Sequence, residues 1–122
     1  MKPARAAFAL LALALPVVVA CDPTYSVSGT VVDASGAAVA GATVTMACPS
    51  GRTEAATSSA GGEFAFGGVG GSFEAPKCSL RIEKPGFTAR TVRTTDACYR
   101  GTQASNAGVP CKAGEGRLVL TP

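Results

Sequence analysis

Apolar and polar positions alternate with a period of two in short runs along most of this chain, and turn-forming residues separate the runs. Val27, Val31 and Val32 lie in a β-prone run from Tyr25 to Val32, which ends at the turn cluster of Asp33, Ser35 and Gly36. The segment Ala42 to Cys48 begins with apolar/polar alternation, as a strand with one buried face requires. Glu63 to Phe66 repeats the theme after Gly61 and Gly62; Cys78 to Glu83 alternates throughout and stops at Pro85 and Gly86. Thr88 to Thr95 is β-prone but more polar, which predicts a sheet edge, and Arg117 to Leu120 supplies a last strand. No run beyond residue 20 has a helical period with caps. About seven short strands joined by glycine-rich turns predict an all-β sandwich.

The first twenty residues follow another pattern. Lys2 and Arg5 precede an apolar stretch from Ala6 to Leu15, and Val18, Val19 and Ala20 stand directly before Cys21, an arrangement that resembles a bacterial lipobox. A membrane-spanning helix needs about 20 apolar residues; the run from Ala6 to Ala20 is shorter, contains Pro16 and is followed by Asp22 and Pro23. Ordinary secretion would also suit the small residues Val18 and Ala20. Cysteine parity separates the two: the chain has five, at 21, 48, 78, 98 and 111, and lipidation of Cys21 removes the odd one. The expected organisation is a cleavable lipoprotein signal over 1–20, a lipid-anchored linker over 21–24 and one domain over 25–122. A thioether to diacylglycerol plus an acyl group on the freed amine would anchor the chain firmly, since each buried methylene contributes about 0.8 kcal/mol. The expected location is the cell envelope, on a bacterial membrane facing periplasm or cell surface.

Composition narrows the chemistry. Histidine is absent, which excludes Ser/His and Cys/His nucleophile pairs and imidazole-containing zinc sites. The cysteines form no CxxC pair, so in an oxidising compartment disulfides are the better reading than a metal; no metal and no cofactor is expected. Without Lys2 and Arg5 the 11 basic residues come close to balancing the 8 acidic ones, and no basic cluster marks a nucleic-acid surface. A monomer is expected. Gly67 to Gly71 is not followed by the Lys-Ser/Thr of a phosphate-binding loop and reads as a flexible turn. Glu63 and Glu74 are a conceivable acid/base pair, but solvated surface charge is the better account of both.

Several segments, taken in order, carry a family resemblance. Val27 to Val31, then Asp33 and Gly36, then Val39 to Val44, followed by Ser59 to Phe66 and Leu80 to Phe87, resemble carboxypeptidase regulatory-like domains. The resemblance implies a Greek-key β-sandwich of the prealbumin (transthyretin-like) and collagen-adhesin B type, typically a non-catalytic accessory module. The chain departs from the pattern at Cys78, where the family usually has an aromatic residue, and in the long segment from Asp96 to Glu115. Four cysteines allow three pairings. In a sandwich of this kind the strand ending at Cys48 runs antiparallel to the strand starting at Cys78. The resemblance therefore implies Cys48–Cys78, leaving Cys98–Cys111 to close the long loop. Within that loop Tyr99, Arg100, Gln103 and Asn106 are the candidate contacts with an envelope protein or glycan, because aromatic and arginine side chains are favoured interface anchors. The alternative is a transthyretin-like hydrolase or an accessory subunit of an envelope enzyme. Tyr99 to Thr102 is similar to the Tyr-Arg-Gly-Ser ending of hydroxyisourate hydrolases, but that chemistry also uses histidines, so the match is read as coincidence.

Overall fold

The computed structural model describes residues 24–69, 74–101 and 109–122. The segment 1–23, with Cys21 and the apolar run before it, lies outside the described residues, as do Gln103 and Asn106. The described residues contain no helix long and apolar enough to cross a membrane.

Among the described residues, eight strands form two sheets: β1 (Thr24–Asp33), β2 (Thr43–Ala47), β3 (Thr53–Thr57), β4 (Glu63–Val69), β5 (Ser79–Glu83), β6 (Arg90–Arg93), β7 (Cys98–Gly101) and β8 (Arg117–Leu120). The second sheet has the order β3-β2-β5-β6, all antiparallel. The first is built around β1, with β4 antiparallel along one side. On the other side β7 pairs antiparallel with Tyr25 to Ser28, and β8 pairs parallel with Thr30 to Asp33.

Inward residues follow the period of two. Val44 and Met46 of β2, and Leu80 and Ile82 of β5, are fully buried from the second sheet; Val27, Val31, Phe64, Phe66, Leu118 and Leu120 meet them from the first. Burying side chains of this size stabilises by roughly 1.5–3 kcal/mol each relative to exposure, before the cost of ordering the chain is counted. The β2–β5 register pairs Ala47 with Ser79, so one further step sets Cys48 opposite Cys78, and the two are disulfide-bonded with Cα atoms 4.2 Å apart. Cys98 is bonded to Cys111.

Three details differ from the sequence expectations. Thr53 to Thr57 is a strand that the pattern did not single out. Cys98 to Gly101 is a strand of the first sheet, so the expected loop from Asp96 to Glu115 is shorter than it looked. Gly67 and Gly68, read as a turn, continue β4 opposite Ser26 and Tyr25, because ladder pairing uses only the main chain. β6 is the edge strand that its polarity suggested.

One junction needs glycine. The Gly116 carbonyl accepts the Thr30 amide at 3.0 Å, where the chain enters β8 just past the start of β7. Its φ is +75°, and a Cβ there would stand 2.8 Å from the Cys98 nitrogen and 2.9 Å from the Ser28 carbonyl oxygen. Only a residue without Cβ lets two strands of opposite direction share one side of β1.

Candidate functional site

The outer face of the first sheet carries a crosslinked strap and an open groove. Side chains that alternate away from the core, Ser26, Ser28 and Thr30 on β1 and Glu63 and Ala65 on β4, point to this face. Cys98 and Arg100 share it, because β7 sets them opposite Ser28 and Ser26. The segment 109–116 is strapped across this face by two different bonds. The first is the Cys98–Cys111 disulfide, whose Cys98 half is fully buried while Cys111 is exposed beside the Ser28 hydroxyl. The second is a two-pronged ion pair, with Arg100 Nη1 and Nη2 donating to Glu115 Oε1 and Oε2 at 2.9 and 2.8 Å.

Arg100 is committed further. Its Nε donates to the Val109 carbonyl at 3.0 Å and Nη1 also donates to its neighbour's carbonyl at Tyr99. Its side chain is 13 % exposed. The guanidinium thus holds the strap, and a fork matched to a carboxylate is geometrically specific in a way a lysine would not be. The bonds from Arg100, with help from the Lys112 amide, hold the Glu115 carboxyl below the usual glutamate range.

Tyr99 lies opposite Val27, on the inward face of β7, where its ring packs against the core and burial pushes its phenol up. Of the four residues expected to contact a partner, Tyr99 and Arg100 are therefore placed on opposite faces of one strand, each engaged within the protein. Gln103 and Asn106 fall outside the described residues.

Beside the strap runs an open groove of about 730 Å³, lined by Ser28, Thr30, Thr57, Ser59, Glu63 and Lys112 among others. Its polar side chains are four hydroxyls, the Glu63 carboxylate, the Lys112 ammonium group and, already held by Arg100, the Glu115 carboxylate. Such a lining suits hydrogen bonding to an extended, polar partner. Glu74 lies away from it: its carboxylate accepts from the Ser50 hydroxyl at 2.9 Å, at the end of the sandwich where β1 begins. The structure does not bring Glu63 and Glu74 together, and the Ser50 bonds hold Glu74 low.

That same end carries a second cluster, which sequence reasoning missed. Arg52 lies over the Tyr25 ring, 5.3 Å from its centroid, and donates to the phenol oxygen at 2.9 Å, while the phenol donates to Glu54 at 3.3 Å. Burial, reinforced by the Glu54 charge, raises the Tyr25 pKa. No apolar alternation announced it, because the half-buried positions of β3 are Glu54 and Ala56.

Among the described residues, two side-chain trios have metal-ligand spacing, Cys48, Glu74 and Cys78, and Cys98, Cys111 and Glu115. In each the two sulfurs are bonded to one another and so offer no thiolate, the form that binds metal. The carboxylates are held by Ser50 and Arg100.

Two packed sheets, stapled and strapped, define a β-sandwich module. A model of the carboxypeptidase regulatory-like domain family matches residues 26–107, most of the chain, and the protein belongs to that family, which is named for a regulatory and not a catalytic domain. Neither a search of curated proteins nor one of solved structures finds a match.

Proposed function

We propose that this protein is a lipid-anchored module of the bacterial cell envelope, tethered through Cys21, that binds or braces an envelope partner and carries out no chemistry of its own. The observation that carries the anchoring is the sulfur count. Four of the five cysteines take one another as partners, as expected of a domain that matures outside the cytosol, and Cys21 is left over directly behind the lipobox-like residues. Non-catalytic action is supported by the family and by the absence of histidine from the sequence. It is also supported by the way Arg100 and Glu115 satisfy one another. The groove beside the strap is the surface best suited to a polar, extended partner such as an envelope protein or glycan.

Cells fed an alkyne-tagged fatty acid should incorporate it into the wild-type protein and not into the Cys21→Ala variant. Label that persists in the variant, or never enters the wild type, refutes the anchor. Crosslinking in intact cells through a photoreactive residue at Thr57 should then capture the partner; its absence from that crosslink would remove the groove from consideration.

A further inference from the structure

We propose, resting on the anchoring reading above, that the sandwich stands upright on the lipid surface. The end bearing Tyr25, Arg52 and Lys77 faces the headgroups. The opposite end points away from the bilayer, and the outer face of the first sheet, with its groove, stands to the side.

The argument is one of chain length and register. Only Asp22 and Pro23 separate Cys21 from Thr24, which is already paired with Val69 in the first sheet. Three residue steps span at most about 11 Å even when fully extended. The fold gathers a whole end around that attachment point. Tyr25 pairs with Gly101 on β7, and its ring and phenol contact Arg52 and Glu54 at the start of β3. The turn between β2 and β3 is bonded through Ser50 to Glu74, next to the short 3₁₀ turn Ala75–Lys77. All of these groups lie within reach of the bilayer surface once Cys21 is acylated. Arg52 and Lys77 are offset there by Glu54 and Glu74, so the orientation comes from the tether and not from attraction to anionic lipid.

The other end is far away and already ordered. β1 runs for ten residues, which at about 3.4 Å each puts the Asp33 turn roughly 30 Å higher. Three cations tie the backbone there: Lys84 donates to the Ala40 carbonyl, Arg117 to Gly36 at 3.3 Å and Arg90 to Val119 at 2.9 Å. The groove and strap lie on the flank, between the two ends, and remain open to the side.

The test uses the full-length acylated protein in phosphatidylethanolamine/phosphatidylglycerol vesicles that contain an acceptor-labelled lipid. A clickable amino acid replaces either Lys77 or Ala34, both exposed, and carries the donor dye. Mass spectrometry of the N-terminal peptide first establishes acylation at Cys21. Energy transfer from position 77 should exceed that from position 34 by about threefold or more, given a height difference set by the length of β1. Inserting a flexible Gly/Ser linker of about twelve residues after Asp22 should erase the difference. Acylated protein with equal transfer from the two positions, or more from 34, overturns the orientation alone. A peptide without acyl mass overturns the anchoring reading and this proposal with it.

Discussion

Replacing Cys48 and Cys78 together with alanine should be the most damaging loss of a crosslink available to this fold. The bond closes a loop with a sequence separation of 30. On the chain-entropy account, freeing that loop in the unfolded state costs about 3.6 kcal/mol at 25 °C. Both sulfurs are buried, so their removal also loses packing; one methyl-sized group each adds about 1 kcal/mol. The corresponding figure for Cys98 and Cys111, separated by 13, is about 2.9 kcal/mol, with little added packing because Cys111 is exposed. A domain of about 100 residues loses roughly 5 °C of Tm per kcal/mol, so the Cys48/Cys78 double variant should melt about 28 °C lower. Urea unfolding followed by far-UV circular dichroism, on protein produced without its first 21 residues, measures both losses with one m-value. The reasoning fails if the Cys48/Cys78 variant loses less than about 1 kcal/mol, or if the Cys98/Cys111 variant loses more than it does.

Three other outcomes are expected. The Ser58 hydroxyl is buried, accepts from the Ala42 amide at 2.8 Å and donates to the Val39 carbonyl at 2.7 Å; Ser58→Ala strands both main-chain groups and should cost about 2–4 kcal/mol in urea melts, so a near-neutral result would contradict the assignment. Gly62 has φ +77°, and a Cβ there would lie 2.3 Å from the Val31 carbonyl oxygen; Gly62→Ala should destabilise by at least about 2 kcal/mol, and a melt like that of the wild type would mean that the β1–β4 junction is misdrawn. The Glu115 carboxyl is depressed below 4.5, chiefly by Arg100. Its contribution is therefore complete above the unfolded value and fades as pH falls through the folded one, so the strap should loosen only in acid. Carboxyl-carbon NMR should show Glu115 titrating upward toward the ordinary value in Arg100→Ala, and an unchanged titration would break the link.

Strands whose inward positions are large were plain in the sequence. Val44 and Met46, Leu80 and Ile82, and Leu118 and Leu120 announce β2, β5 and β8 by alternation alone, and the two cysteine pairs follow once the sheet order implied by the family resemblance is supplied. β3 was invisible because its inward positions are Glu54 and Ala56, one charged and one small, at the edge of a sheet. β7 was hidden for a different reason. Its outward residues Cys98 and Arg100 are covered by a strap that arrives from further along the chain, and no local pattern encodes burial of that kind. The same separation explains why Arg100 looked like a contact residue: its partner Glu115 lies 15 residues away, and only the fold brings the carboxylate to the fork.

The parallel pairing of β1 with β8 means that the first and last strands of the domain lie side by side. Until Arg117 to Leu120 have emerged, half of one side of β1 has no neighbour, and Val31 lacks the adjacent Leu118. A chain synthesised from its N-terminus therefore cannot finish its first sheet while its last strand is still being made. Completion waits for the tail, so closure of that sheet is a late event, reserved for the full-length chain.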